Sequence, residues 1–392
     1  MSLEAGASLA KKSLILHASF KHNTTDMRIR IKPDFYLEQE QGTAEPIGRV
    51  LELLIEVEQR GNLRAACEAL AIPYRSAWNM VVTLERRLGG PVLEMTRGRG
   101  SALTDLGRKL LWAKKLVHAR FDPLLHSMAM EIDAQVQLAI AKGQEYLRIY
   151  ASHGYAIASL NTYLQKIHAP VELSYRGSLE ALKALKRRAC DVAGFHVPIG
   201  ELEASLLGEL QPLLLQQHRL INIATRRQGL MVRKGNPKEI WSFEDLFKPE
   251  ISFVNRQQGS GTRVILELLL KRSGRSGHEI PGFEAEELTH AAVAAYVASG
   301  MADVGLGVEA AARQFKLDFI PLLTERYFFV CDESTLSDPR FAEVLSFLQG
   351  PRFHAELLTL PGYDAVTSSQ IMTVAEAFPA AYPQAAQDRN AS

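Results

Sequence analysis

Two stretches of this 392-residue chain are built alike. "SLEALKALKRRACDVAGFHV" runs from Ser178 to Val197, and "THAAVAAYVASGMADVGLGV" runs from Thr289 to Val308. Each opens on a hydroxyl residue suited to a helix N-cap, continues as an apolar helix, turns, and ends in a strand built on Asp-Val followed by Ala or Gly. A helix-to-strand unit that occurs twice, about 110 residues apart, predicts two α/β lobes of related construction.

The neighbouring segments agree. Strand-like runs at "YLRIYAS", "VELSYR", "CDVAGFHV", "ISFVNR", "ADVGLGV" and "LDFIPL" alternate with helical patterns, as in a parallel α/β sheet. "RLINIATRRQGLMVRKGNP" then "WSFEDLF" carries the chain into the second lobe, and "RYFFVCDE" brings it back. This is the plan of a type II periplasmic-binding-protein fold, in which a ligand lies between lobes that close by hinge motion. The predicted domain spans residues 146–372, with lobe I at 146–225 and 327–372 and lobe II at 226–326.

Ligand groups are expected on loops at the C-terminal ends of the strands. Those loops carry Ser152 and His153, then Arg176 and Ser178, then Arg256 with the turn Gly259-Ser260-Gly261-Thr262 and Arg263, then Thr289 and His290. Each places a hydroxyl at a helix start, where free N–H groups and the helix dipole favour an anion. Ser178 and Thr289 read equally as ordinary N-caps when taken singly, and Arg263 reads equally as the solvated first turn of its own helix. Their convergence is what favours an anion cleft. A Walker loop requires Gly-Lys-Ser/Thr where Thr262-Arg263 stands, and a dinucleotide fingerprint requires a third glycine where Val264 stands. Histidines show no metal-ligand spacing, and no nucleophile and base pair up, so neither a metal, a catalytic residue nor a cofactor is predicted.

The first part of the chain is different. Val50, Leu51, Leu54, Ile55 and Val57 mark an amphipathic helix from Pro46 to about Gln59. Asn62 caps a second helix, and "AIPYRSAWNMVVTLERRLGG" supplies a turn and a third, with Ala77, Val81, Leu84 and Leu88 on one face. The free face presents Arg75, Asn79, Thr83 and Arg86. Arg and Asn suit guanine and adenine edges in the major groove, because each bonds in bidentate fashion. "PVLEMTRGRGSALTDLG" then predicts a hairpin whose Arg97 and Arg99 lie on phosphate, with Thr104 capping the next helix. Thr43 to Arg120 holds 13 Lys+Arg against 8 Asp+Glu, in a chain whose total charge is +1, so positive charge is gathered here.

On these residues, "GNLRAACEALAIPYRSAWNMVVTLERRLGGPVLEMTRGRGSALTDLGRKLL" resembles the winged helix-turn-helix of LysR-type and ModE-type regulators, the latter more closely through "IPYRSAW" and "RGRGSALTDLGRKLL". The resemblance implies a dimer on a near-palindromic site in double-stranded DNA, read through Tyr74, Arg75, Ser76 and Asn79. The second half, from "RRQGLMVRKGNPKEIWSFEDLF" through "LTHAAVAAYVASG" to "RYFFV", resembles the periplasmic-binding-protein-like domain of molybdenum metabolism. That resemblance implies molybdate or tungstate, or a phosphate-bearing cofactor such as molybdopterin, as effector. The molybdotransferase's own catalytic domain is not among the matching segments, so its activity is not implied.

The fold class expected is therefore α/β, with a winged helix-turn-helix at 27–112, a linker at 113–145, and the two-lobed domain. Leu110, Val117 and Leu124, seven apart and flanked by Phe121 and Met128, predict a dimerising seam on the linker, and Pro123 kinks it or starts a second helix. A homodimer or a dimer of dimers is expected. Residues 1–26 read as a loose arm, with translation starting at Met1 or Met27, and 373–392 as a tail. Cys67, Cys190 and Cys331 lie far apart and read as reduced thiols. No membrane span and no signal peptide are read in the sequence, so a cytoplasmic location is expected. The expected function is a one-component transcriptional regulator sensing a small anion. The alternatives are a sensor or accessory protein of molybdenum-cofactor synthesis that does not bind DNA, and a transport receptor.

Overall fold

The computed structural model describes residues 29–38, 43–96, 100–140 and 146–382. The arm at 1–26, the Met27 start and residues 383–392 of the tail lie outside the described residues, as do Arg97 and Arg99; the first half of the tail is built into the fold, with Val374, Ala377 and Phe378 buried. No helix among the described residues is long and apolar enough to cross a membrane.

A short antiparallel strand pair, Tyr36–Leu37 with Glu45–Pro46, precedes three helices: α1 (Gly48–Arg60), α2 (Leu63–Ala69) and α3 (Tyr74–Leu88). Asn62 caps α2 as expected, its side chain accepting from the Arg64 N–H at 2.8 Å. Ala77, Val81 and Leu84 bury the inner face of α3 against α1 and α2, while Leu88 is only half-buried. A short antiparallel hairpin follows, β1 (Leu93–Thr96) with β2 (Gly100–Leu103). Thr104 then accepts from the Gly107 N–H at 3.1 Å, opening α4 (Asp105–Ile140).

Helix α4 departs from expectation. It is one unbroken helix of 36 residues, so Pro123 does not start a second one. Leu110 packs into the N-terminal core instead of joining a seam. The exposed apolar stripe lies further along, at Phe121, Leu124, Met128, Ile132 and Val136. Those spacings of three and four residues put the stripe on one face.

The second half is a ten-stranded mixed sheet, not a parallel one throughout. One parallel set comprises β3 (Leu147–Ala151), β4 (Val171–Tyr175) and β5 (Val192–Pro198), linked through α5 (Tyr155–Lys166) and α6 (Ser178–Lys186). The other set comprises β7 (Phe253–Arg256), β8 (Glu286–Glu287) and β9 (Val304–Val308), with α7 (Gly261–Ser273) and α8 (His290–Ala298) between them. Two 15-residue strands, β6 (His218–Val232) and β10 (Asp318–Asp332), pair antiparallel and join the two sets. The C-terminal end of β6 carries β9, and the C-terminal half of β10 carries β5. The chain thus crosses between lobes near Arg226 on β6 and Glu325 on β10. Separate apolar cores fill the lobes, one around Ile149 and Phe329, another around Phe253 and Leu266.

Candidate functional site

Where the two lobes face each other lies a cleft of about 530 Å³. Helices α5, α6, α7 and α8 all start at its walls, because each follows a strand end or a loop on that side. Among the described residues, the first N–H groups of α6, α7 and α8 make no hydrogen bond: Ser178 and Leu179, Gly261 and Thr262, His290 and Ala291. Such orphan donors are where an anion sits at a helix start.

Most residues singled out from the sequence meet here. Ser152, His153, Arg176, Arg256, Gly259, Ser260, Gly261, Thr262, Thr289 and His290 all line the cleft. Two do not. Ser178 is not the N-cap of α6, since Gly177 occupies that position with extended backbone. Ser178 stands one layer back, its Oγ 3.4 Å from Ser152 Oγ. Arg263 turns away to Glu267 and Glu286 and lies over the Phe283 ring, 4.0 Å from its centroid. It is the buried first turn of α7 tied to lobe II, not a cleft cation.

Ser260 and Thr289 do cap their helices, accepting from the Arg263 and Ala292 N–H groups. The Thr289 hydroxyl also donates to the Ala119 carbonyl of α4 at 2.8 Å. Glycine is required at one close approach. A Cβ on Gly177 would lie 2.4 Å from the Gly259 carbonyl oxygen, so the α6 loop of lobe I touches the α7 loop of lobe II. Gly259 itself takes φ 80°, which favours glycine.

Beneath these loops sits a polar cluster that sequence reasoning missed. Arg226 donates from Nε to Glu325 Oε1 at 2.6 Å and from Nη2 to His196 Nε2 at 3.1 Å. Gln228 donates to both Glu325 Oε1 at 2.9 Å and Thr262 Oγ1 at 3.1 Å. Arginine only donates, so His196 accepts at Nε2 and carries its proton on Nδ1. That Nδ1 is 3.6 Å from Glu325 Oε1, beyond hydrogen-bond range, and the ring stacks on Tyr327 at 4.0 Å.

Arg256 is the unusual member. It is buried, with Nη2 donating to the Leu288 carbonyl at 2.9 Å and Nε to Gln257 Oε1 at 3.0 Å. Among the described residues it has no carboxylate within ion-pair distance. Burial and then the charge of Arg226 push its guanidinium down to about 9. Burial and then Arg256 and Arg226 push His153 down to about 3. His196 and His290 fall well below the usual imidazole range, first through burial and then through the same two arginines. Three neutral imidazoles thus surround a cationic floor. Among the described residues, no group of His, Cys, Asp or Glu side chains could hold a metal ion.

On the N-terminal module, Tyr74, Arg75, Ser76, Asn79, Thr83 and Arg86 are all exposed on the outer face of α3. Trp78 is exposed beside them, a residue that the sequence pattern had not separated from the core.

Residues 49–108 match the helix-turn-helix of bacterial regulatory proteins of the lysR family, and residues 161–349 match the PBP superfamily domain. The uncharacterized protein YvgK of Bacillus subtilis is 31% identical over 248 residues, spanning 62% of this chain and 79% of that protein. The chain belongs to the family of YvgK. A second relative, an uncharacterized protein in the ferredoxin 2Fe-2S gene 5' region of Clostridium pasteurianum, is 34% identical over 111 residues, spanning 28% of this chain and 98% of that one. Among solved structures, a C206 mutant of Corynebacterium glutamicum OxyR is 17% identical, covering 80% of this chain and 93% of that one, with a TM-score of 0.38. CbnR, a LysR family transcriptional regulator, is 18% identical, covering 76% and 98%, with a TM-score of 0.33. This YvgK-family chain thus joins a lysR-family DNA-binding module to a periplasmic-binding-protein-like effector domain, the make-up of a LysR-family transcriptional regulator.

Proposed function

We propose that this regulator senses an anion in the cleft between its lobes and passes the change to the winged helices. Arg256 is the observation that carries the reading. A buried cation without a carboxylate is costly, and the cost is offset when a ligand supplies the missing charge. The orphan N–H groups of α6, α7 and α8 open onto the same cleft.

A tetraoxoanion such as molybdate or tungstate is one ligand that these helix starts suit. The volume also accommodates an organic ligand bearing a phosphate or carboxylate, such as molybdopterin, and arginine favours such planar or bidentate groups. Either ligand controls DNA binding only if its affinity differs between two conformations of the protein. On the DNA side, a homodimer or dimer of dimers reads a near-palindromic site through Tyr74, Arg75, Ser76 and Asn79. Thr83, Arg86, Arg97 and Arg99 contact the backbone.

Thermal melting of the full chain with molybdate, tungstate, sulfate, phosphate and formate tests the anion site. A ligand that binds only the folded state raises the melting temperature. A rise with molybdate or tungstate alone, lost in Arg256→Met, identifies a tetraoxoanion sensor. A rise with phosphate alone moves the assignment to a phosphate-bearing ligand. No rise with any of them, nor with organic phosphates, contradicts the anion reading.

A further inference from the structure

Helix α4 does more than connect the two modules. It crosses the mouth of the cleft and is fastened to both lobes. On the lobe II side, Arg120 donates from Nε to Glu287 Oε2 at 2.6 Å, Thr289 donates to the Ala119 carbonyl, and Trp112 Nε1 donates to the Ala295 carbonyl at 3.4 Å. On the lobe I side, Ser127 Oγ accepts from the Tyr175 N–H at 3.1 Å, and Glu131 Oε1 accepts from Arg176 Nη2 at 2.9 Å. Arg120 and Ser127 are about 10 Å apart along the helix axis at 1.5 Å per residue. Between them Arg120, Leu124 and Ser127 line the cleft itself.

The fastenings fall on the segments that line the cleft. Glu287 is 2% exposed and sits in register with Arg256 on the adjacent strand, immediately before Leu288, Thr289 and His290. Arg176 precedes the Gly177 that touches Gly259. Both half-buried arginines of the cleft are therefore paired across the α4 contact, Arg120 with Glu287 of lobe II and Arg176 with Glu131 of α4, Arg176 also lying 3.4 Å from Glu180 of α6. An anion in the cleft offers each arginine a second partner.

We infer that Arg120 is an effector-binding residue contributed by the linker helix, and that the anion, by competing with Glu287 and Glu131 for Arg120 and Arg176, unfastens α4 from the lobes. The inference rests on the anion reading of the cleft. It adds that the DNA-bearing helix is itself a wall of the effector site, pinned when the cleft holds no anion. Exchange of ligand for carboxylate then changes the α4 contacts without any intermediate relay.

Amide hydrogen exchange over residues 112–131 of the full chain tests this in two arms. Without ligand, the double variant Glu131→Gln/Glu287→Gln removes both carboxylates, and exchange in that segment should rise by about tenfold or more while the lobe cores stay protected. Unchanged exchange overturns the inference whatever the ligand is. With sodium molybdate or sodium phosphate as probe, whichever raises the melting temperature, wild-type exchange over the same segment should rise. A melting shift with α4 protection unchanged also overturns it. If no probe shifts the melting temperature, the anion reading fails, and the first arm still decides whether the carboxylates pin the helix. The charge swap Arg120→Glu/Glu287→Arg separates pin from ligand contact. It should restore α4 protection and lose probe binding, whereas recovery of both shows that Arg120 does not touch the anion.

Discussion

Arg226 on β6 and Glu325 on β10 face each other in register where the long strands cross between lobes, Nε 2.6 Å from Oε1, and both are buried. Glu325 also holds Gln228, which in turn holds Thr262 of the α7 turn. Removing one partner of a buried ion pair leaves an uncompensated charge, at a cost of about 3–5 kcal/mol. Glu325→Gln should therefore lower unfolding free energy by that order in urea titration. A loss below about 1 kcal/mol means the pair is dispensable to the hinge.

Arg256 should behave in the opposite way. It is buried without a carboxylate, so Arg256→Met removes a desolvated charge while keeping most of the packing volume. Stability of the ligand-free protein should stay level or rise by about 1–2 kcal/mol, while anion affinity falls. A variant that is strongly destabilised and still binds the anion places Arg256 in the framework and not in the site.

At Gly177 the test is steric. The backbone there is one that alanine adopts freely, but the Cβ would meet the Gly259 carbonyl oxygen at 2.4 Å. Gly177→Ala should prop the loops apart and weaken anion binding by about tenfold or more with the melting temperature of the ligand-free protein little changed. Calorimetric titration that returns the wild-type affinity shows that binding does not need this closed contact.

The cleft histidines give stability a pH dependence of known sign. His153, His196 and His290 are held neutral in the fold, whereas unfolded imidazoles titrate near 6.5, an approximate reference value. Their contribution is complete above about pH 6.5. Below it the unfolded chain takes up protons that the native state refuses, at about 1.4 kcal/mol per pH unit for each histidine, until the folded values are reached, about 3 for His153. Urea midpoints should be level from neutral to mildly alkaline pH and fall steeply below about 6. His153→Gln should make that fall shallower, and an unchanged slope contradicts the assignment.

Phe121, Leu124, Met128, Ile132 and Val136 form an exposed stripe on α4 that a second copy would cover. Sedimentation should show a dimer, or a dimer of dimers, for the full chain and a smaller species for Met128→Glu/Ile132→Glu, two stripe positions outside the cleft lining. A variant that sediments like wild type moves the interface elsewhere.

How much of this was legible in the sequence follows from where each signal lies. Asn62, Ser260 and Thr289 mark helix starts within three residues of the groups they cap, so local chemistry was enough to find them. The glycine-rich turn and the repeated helix-to-strand unit were equally local, and with the strand pattern they gave the two lobes. Arg226 and Glu325 were not legible, because 99 residues separate them and each alone reads as an exposed strand position. Arg120 meets Glu287 across 167 residues, on a helix read only for its apolar spacing. Arg263 misled for a physical reason: beside a glycine-rich turn it resembles an anion ligand, yet Glu267 one turn along and Glu286 on β8 claim it. Leu110 was read as part of a linker seam by its heptad spacing alone, but it is taken up by the N-terminal core.

One chain that couples an anion to DNA must bind DNA differently with and without that anion. Fluorescence anisotropy of the full chain on DNA selected from the genome of its source, titrated with and without the anion that raises its melting temperature, measures this coupling. The anion should change DNA affinity by about fivefold or more, Arg75→Ala should weaken binding by about 1–3 kcal/mol, and Arg256→Met should abolish the anion's effect while leaving DNA binding intact. DNA affinity that is identical with the cleft empty and saturated would contradict the coupling.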